Sequence, residues 1–175
     1  MHDVSDRIER HIHLRAPVSR VWRAIADSEE FGQWFGVKIE GPWVIGEPMR
    51  GCFEEPFTQA QMDEVLARVG LPSAPIATTL PEVFCVVEAI EPERCFRFRW
   101  IPYGIDADVD PATDPTTVVE FRLAAEGDGT MLTVTESGFD QVPLERRRRA
   151  FLMNSAGWSA QMDQIAAYLS AEAVA

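Results

Sequence analysis

Glu136 is the acidic residue whose position is best suited to chemistry. It follows Leu132 and Val134 at the two-residue spacing that puts side chains on one face of a β-strand. If that face is buried, the loss of hydration raises the pKa of the carboxyl group and makes Glu136 a candidate general acid or base. The alternative is a structural role, because Ser137 and Gly138 end the predicted strand here. At a strand end a carboxylate can accept from a backbone amide or pair with an arginine.

Asn154 and Ser155 interrupt the apolar face of a long helix predicted over residues 143–171. They lie about one helical turn from Phe151 and Trp158, so polar groups share a face with aromatic ones. Such polar groups can orient a ligand inside a cavity. Hydrogen bonding to neighbouring protein groups is the commoner use of a buried polar side chain and stays open as the alternative.

His11 and His13 lie two residues apart on the first predicted strand and therefore share a face. A metal pair is one interpretation of this spacing. Glu9 and Arg15 lie on the same face, however, and no third ligand is spaced to join the pair. A solvated polar face is therefore the preferred interpretation.

Four aspartates between residues 106 and 114 follow the spacing of a calcium-binding loop. The position that requires glycine is Pro111, and the position that requires glutamate is Thr117. Because both diagnostic positions fail, we predict an acidic surface loop and no metal site. Its closeness to Trp100 and Tyr103 also makes it a candidate cavity rim.

Arg146–Arg149 is a basic run at the start of the predicted long helix. Four consecutive helical residues point in four directions, so they cannot form one flat patch. Arginine at this end opposes the helix dipole slightly. The run is expected to pair with carboxylates such as Glu145, or with an acidic loop that a second subunit could supply, which leaves a homodimer possible.

The composition excludes several classes of protein. The 175 residues carry 16 basic and 28 acidic side chains, a formal net charge of −12. This balance argues against binding to nucleic acid or to an anionic membrane surface, because both need a basic face. The sequence also lacks the motifs of dinucleotide, phosphate-loop, serine-hydrolase and HExxH metal sites. We therefore predict no cofactor.

The cysteines and the first residues indicate a compartment. Cys52, Cys85 and Cys95 form an odd, scattered set without CxxC spacing, which fits a reducing environment. The first fifteen residues do not have the pattern of a signal peptide. No apolar run reaches the ~18–20 residues that a membrane span needs. We expect a soluble cytoplasmic protein.

The elements that must position these residues follow from periodicity. Alternation and turn residues predict strands at 7–15, 82–90 and 95–103, a pair of strands within 37–54 and a hairpin at 116–139. Two short helices follow the first strand, and Thr58 and Gln61 have the capping-box spacing of a further helix over 57–71. The strand at 82–90 is apolar almost throughout, so its faces cannot be assigned.

The order of elements indicates one α+β domain over residues 1–175. We expect a curved antiparallel sheet of about six strands, covered on its concave face by the long C-terminal helix. Bulky residues between helix and sheet would leave a cavity there. The expected ligand-binding residues are those predicted to face that space: Phe98, Trp100, Phe121, Glu136, Phe151, Asn154, Ser155, Trp158 and Met162.

The order of elements also resembles the helix-grip fold of the SRPBCC or START-like superfamily. That fold is shared by birch-pollen-allergen-like proteins, lipid-transfer START domains and polyketide cyclases. The chain is most similar to bacterial proteins that resemble the C-terminal domain of the heat-shock-protein-ninety ATPase activator. The matching stretches are RHIHLRAPVSRVWRAIADSEEFGQWF, VEAIEPERCFRFRW, TTVVEFRL, GTMLTVTESGF and MNSAGWSAQMDQIAAYL. The helix at 57–71 looks like an insertion that smaller relatives do not share.

The resemblance implies a cavity for a small, largely apolar ligand. Many relatives have a Gly-Trp pair in the last helix, matched here by Gly157 and Trp158, and often a histidine three residues before it. Here Asn154 stands at that position, so a role for a titratable imidazole is not transferred. Family membership settles fold better than function.

Three hypotheses about function follow. The first is non-enzymatic binding of a small hydrophobic ligand, aromatic or lipid-like, in the cavity. The second is an enzyme of the polyketide-cyclase type with Glu136 as acid or base, which requires Glu136 to be buried, free of an arginine and facing open volume. The third is a chaperone-interaction module in the stress response, as the activator resemblance suggests.

Overall fold

A seven-stranded antiparallel sheet forms the frame of the protein, and its strand order is β1-β7-β6-β5-β4-β3-β2. The structure is a computed structural model that describes residues 6–55, 57–77 and 82–173. The strands are β1 (Arg7–Leu14), β2 (Val37–Ile39), β3 (Pro48–Phe53), β4 (Val83–Glu91), β5 (Cys95–Trp100), β6 (Thr117–Glu126) and β7 (Gly129–Ser137). The helices are α1 (Val18–Ala26), α2 (Ser28–Phe35), α3 (Gln59–Arg68) and α4 (Leu144–Ala173). A single 3-10 turn, Phe139–Gln141, joins β7 to α4.

This architecture confirms the predicted α+β fold. Helix α4 runs for 30 residues, about 45 Å at 1.5 Å per residue, and packs against β1, α2 and α3. Its buried side chains repeat at helical spacing and face the sheet: Ala150, Trp158, Met162, Ile165 and Leu169.

Helix α2 supplies an aromatic edge to the core. Asp27 caps its first turn by accepting a hydrogen bond from the Glu30 amide at 2.9 Å. Gly36, in the left-handed conformation, ends it with φ of 85°. Between these ends Phe31 is fully buried and the Trp34 indole donates to the Ala24 carbonyl at 2.7 Å. The middle of the concave face is therefore filled by α2.

Strand β4 explains why the faces of 82–90 could not be assigned. The neighbours Phe84 and Cys85 are both buried, although alternation would expose one of them. The pairing of β4 with β5 shifts register between Val87 and Ala89, and its pairing with β3 shifts between Met49 and Arg50. These irregularities break the two-residue period on which assignment from sequence depends.

Strand β5 ends three residues before the prediction placed its end. The ladder with β6 stops at Trp100, paired with Thr117. Pro102 follows and has no backbone N–H to donate to a neighbouring strand. The chain therefore leaves the sheet here and forms the loop 101–106, which carries the buried side chain of Tyr103 inward.

Helix α3 has the capping box that the sequence predicted. The Thr58 hydroxyl accepts from the Gln61 amide, and the Gln61 side chain accepts from the Thr58 amide. Met62 and Leu66 are fully buried in a small cluster of their own. Partly buried side chains that pack against this cluster include Ile105 and Met153.

Candidate functional site

A cavity of about 200 Å³ opens where the loop 101–106 leaves the sheet. The first half of α4 forms one wall, and the β3 and β4 edge forms the opposite wall. Apolar side chains dominate the lining, among them Phe53, Phe84, Trp100, Ile105 and Met153. We call this space the large cavity.

A second cavity of about 160 Å³ adjoins the large one along α4. Its lining includes Phe35, Trp158 and Gln161, and we call it the small cavity. Both cavities are lined by Phe53, Trp100 and Asn154. The two cavities therefore form one groove along α4 that these three side chains divide.

A more voluminous depression of about 640 Å³ lies elsewhere, between α2 and β2. Its lining includes Asp27, Glu29, Lys38 and Glu54. Asp27 is committed to capping α2, and these charged groups lie at the surface. The depression therefore lacks the apolar enclosure that small-molecule sites usually have.

Glu136 lies directly behind the wall that divides the groove. Its side chain is fully buried, and four side chains donate hydrogen bonds to it. Oε1 accepts from the Thr117 hydroxyl at 2.6 Å, the Trp100 indole at 2.8 Å and Asn154 Nδ2 at 3.0 Å. Oε2 accepts from the Trp158 indole at 2.6 Å and from Asn154 Nδ2 at 3.2 Å. One carboxylate thus joins β5, β6, β7 and α4.

Strand register brings these groups together. Trp100 pairs with Thr117 across β5 and β6. The next ladder pairs Val119 of β6 with Glu136 of β7. Helix α4 crosses above, and Asn154 and Trp158 are four residues apart, so they lie on the same face.

Burial raises the pKa of Glu136, and the hydrogen bonds from Thr117, Trp100, Trp158 and Asn154 lower it in part. Among the described residues no arginine or lysine forms an ion pair with it. A protonated carboxyl group would have to donate, and an indole N–H cannot accept. The two indoles therefore favour the ionised form, whereas the Thr117 hydroxyl can also accept from a protonated carboxyl group.

Trp100 of the dividing wall packs beside Trp158 of the small cavity. Their ring centroids are 5.6 Å apart with the planes tilted by 34°. Both indole N–H groups are used by Glu136, so their remaining surface is apolar. Of the predicted ligand-binding residues, the structure brings together Trp100, Glu136, Asn154 and Trp158.

The other predicted residues lie away from both cavities. Phe98 and Phe121 are fully buried in the core, and Met162 is 4 % exposed in the same core. Phe151 packs on Phe139 at a centroid distance of 5.2 Å. The Ser155 hydroxyl accepts from Arg10 at 2.5 Å, which is the structural use of a polar group on this helix face.

Sequence reasoning missed the charged end of the large cavity. Asp106, which is 3 % exposed, forms an ion pair with Arg149 and approaches Arg146 at 3.9 Å. The acidic loop and the basic run were both visible in the sequence. Their offset of forty residues gave no sign that they meet within one chain.

The arginine run 146–149 was expected to pair with carboxylates or with an acidic loop of a second subunit, and this ion pair shows the partner of Arg149. Its acidic partner Asp106 belongs to a loop of the same chain, so these arginines do not need a second subunit to be paired. Arg147 donates instead to the carbonyls of Asp140 and Val142.

The other predicted groupings show no arrangement for a metal ion. His13 Nε2 lies 3.0 Å from the Glu126 carbonyl, and His11 approaches Glu9 at 3.9 Å. Within residues 6–55, 57–77 and 82–173, no three His, Cys, Asp or Glu side chains cluster as metal ligands would.

In the same described part of the chain, no helix has the length and apolar character that crossing a membrane requires.

The buried carboxylate, the long gripping helix and the groove between helix and sheet complete the geometry of the site. Residues 15–170 match the model of the family described as Activator of Hsp90 ATPase homolog 1-like protein. The chain belongs to this family. Membership confirms the resemblance that the sequence motifs indicated. Among functionally curated proteins, no sequence matches the chain.

Several solved structures share the fold of this protein. A protein from Arthrobacter aurescens is 17 % identical, with a TM-score of 0.65 over 97 % of this chain and 90 % of that one. Protein MLL2253 from Mesorhizobium loti is 20 % identical, with a TM-score of 0.63 over 94 % and 96 %. At these identities the likeness shows the fold alone.

DynU16, described as a putative protein in the dynemicin biosynthetic locus, is also similar. It is 22 % identical, with a TM-score of 0.60 over 95 % of this chain. The chain spans 48 % of the length of DynU16. The resemblance therefore concerns about half of that protein.

Proposed function

We propose that this protein binds a small, largely apolar molecule in the groove between α4 and the sheet and does not transform it. The observation that carries the proposal is the lining of the groove. Aromatic and aliphatic side chains from the sheet, the loop 101–106 and α4 surround the two adjoining cavities of about 200 and 160 Å³. Apolar lining with a few placed polar groups is the usual character of a small-molecule site.

The volumes set the size of the ligand. An apolar cavity of about 150 Å³ is enough to hold benzene. The large cavity exceeds that size, so it accommodates a substituted aromatic ring. A ligand that slightly displaces the dividing side chains Phe53, Trp100 and Asn154 would span both cavities. Two fused rings or a short lipid chain would have the size to do so.

A catalytic role for Glu136 has weaker support. The residue is buried and lacks an arginine, as that hypothesis requires. It does not line either cavity, and both oxygens already accept from four groups. Proton transfer to a ligand would first require Asn154 or an indole to move. A chaperone-interaction role finds no specific observation in its favour among the described residues.

A blocking variant tests the proposal. Met153 lines the large cavity, so Met153→Trp fills it, whereas Ala160→Trp adds the same side chain to an exposed position of α4. Naphthalene titrated into the wild type should quench tryptophan fluorescence saturably. Met153→Trp should weaken that binding at least tenfold, and Ala160→Trp should leave it unchanged. Saturable binding that Met153→Trp leaves intact would contradict the proposal.

Cys52 provides an independent measurement. It lines the large cavity and is the exposed cysteine, while Cys85 and Cys95 are buried. Burial also raises the pKa of Cys85 to about 12, so its thiol is unreactive. Bound naphthalene should slow the reaction of Cys52 with a thiol reagent. Native mass spectrometry of protein purified from its own host would identify a retained ligand.

A further inference from the structure

We propose that the groove selects apolar ligands carrying a hydrogen-bond donor, such as a phenolic hydroxyl, and that Asn154 Oδ1 is the acceptor that recognises it. This inference rests on the proposed function and names the class of ligand. It makes Asn154 the residue that determines specificity, with Glu136 as the positioning residue behind it.

Glu136 fixes the orientation of the Asn154 amide. Asn154 Nδ2 lies 3.0 and 3.2 Å from the two carboxylate oxygens. A carboxylate only accepts hydrogen bonds, so the reversed amide would place its oxygen against a negative charge. An asparagine orientation is normally inferred from its neighbours, and here the neighbour permits one choice.

The two tryptophans use the same carboxylate as their hydrogen-bond acceptor. Trp100 Nε1 and Trp158 Nε1 approach different oxygens of Glu136, at 2.8 and 2.6 Å. Neither indole can accept a proton from Glu136. Each indole N–H is thereby used, so these two rings offer a ligand no hydrogen bond.

Asn154 therefore presents Oδ1 to the groove. Its side chain lines both cavities, and its Nδ2 is committed to Glu136. Oδ1 makes no hydrogen bond to any residue that the structure describes. An acceptor in an aromatic setting favours a ligand that donates, because an unpaired polar group out of water costs free energy.

Gln161 repeats the arrangement two helical turns along α4. Its Nε2 donates to the Phe35 carbonyl at 3.2 Å, a group that can only accept. Its Oε1 is buried without a hydrogen-bond partner among the described residues. Both amides that line the small cavity thus have their nitrogens committed and their oxygens unpaired. Among the described residues, each of these nitrogens donates at least one hydrogen bond, whereas neither oxygen accepts one.

Matched probes test the inference. 2-Naphthol and 2-methoxynaphthalene share a ring system, but only the naphthol donates a hydrogen bond. The wild type should bind 2-naphthol about five to ten times more tightly, as one neutral hydrogen bond implies. Dissociation constants come from tryptophan quenching, with isothermal titration calorimetry as a check.

Variants locate the acceptor. Asn154→Leu keeps the branched shape and the number of heavy atoms but removes the amide, so the ratio of the two dissociation constants should fall below twofold. Gln164→Leu removes an exposed amide of the same helix that lines neither cavity, and should retain the wild-type ratio. Gln161→Leu tests the second unpaired amide oxygen of α4 and should lower the ratio of dissociation constants by a smaller factor.

The outcomes separate the two proposals. Equal binding of both probes to the wild type would overturn the inference while leaving apolar binding supported. An unchanged ratio in Asn154→Leu would overturn the assignment to Asn154. Absence of binding by naphthalene and both probes would overturn the proposed function itself.

Discussion

The space between the sheet and the helices is filled in two different ways. Below α2, aromatic side chains interlock: Phe31 lies 4.9 Å from Trp34, 6.3 Å from Phe121 and 6.5 Å from Phe96, measured between ring centroids. We call this the packed end. Below the first half of α4, two cavities remain open, and we call this the open end.

The difference lies in what holds the side chains. At the packed end two facing elements, α2 and the sheet, contribute apolar rings that fill space against one another. At the open end Glu136 holds Trp100, Asn154 and Trp158 by hydrogen bonds to specific atoms. Side chains held by their polar atoms cannot collapse inward to close the groove. A buried polar network can therefore keep a cavity open inside an apolar core.

The largest expected effect comes from truncating an aromatic at each end. Phe31→Ala should lower the free energy of unfolding by about 3–5 kcal/mol, because it leaves a cavity in a fully packed region. Phe53 is 38 % exposed and faces an existing cavity, so Phe53→Ala should cost less than about 1 kcal/mol. Urea denaturation measures both. Equal losses would show that the two ends are packed alike.

A smaller effect is expected from Glu136→Gln. The amide retains one acceptor but places an NH₂ group against an indole N–H or the Asn154 amide. An unsatisfied buried group costs about 1–3 kcal/mol, and the loss should appear as a lower urea midpoint. Near-ultraviolet circular dichroism should change too, since the Trp100 and Trp158 rings lie 5.6 Å apart. Wild-type stability and spectrum in this variant would refute the role of Glu136 in holding the wall.

The difference in unfolding free energy between wild type and Glu136→Gln should depend on pH. Burial raises the folded-state pKa of Glu136 above its ordinary value of 4.5, so the unfolded chain releases this proton first as pH rises. The contribution of Glu136 to stability is thus full below about pH 4.5 and declines as pH rises through the folded-state pKa. The stability difference between wild type and Glu136→Gln should shrink from pH 4.5 to 8. A difference that grows over this range would mean that the hydrogen bonds outweigh burial.

The sequence was sufficient for most of the fold because periodicity reports local structure directly. The stripe along α4 and the capping box of α3 depend on neighbours within a few residues. The end of β5 was missed by three residues, since alternation continues through Tyr103 although Pro102 ends the ladder. The irregular register of β4 left no period to detect.

The site was less predictable because a sequence pattern shows which residues share a face of a strand or helix, but not which polar atoms form hydrogen bonds. The shared faces indicated Trp100, Asn154 and Trp158, which the structure places around Glu136. They also indicated Phe98 and Phe121, which are fully buried in the core, since nothing in the sequence shows that α2 packs against Phe121. The ion pair of Asp106 with Arg149 joins segments 43 residues apart, and no local pattern records such a contact.

The smallest expected effect concerns α3, which lies outside both ends and contacts the open end through Met153 and Ile105. Thr58→Ala removes the capping hydroxyl that accepts from the Gln61 amide at 3.2 Å, at a cost of about 1 kcal/mol. The small cluster around Met62 is separate from the main core, so the loss should stay local. Hydrogen exchange of α3 amides should then accelerate about fivefold, while β6 and β7 amides exchange unchanged. If exchange of the β6 and β7 amides also accelerated, α3 and the sheet would unfold as one unit, and the prediction would be wrong.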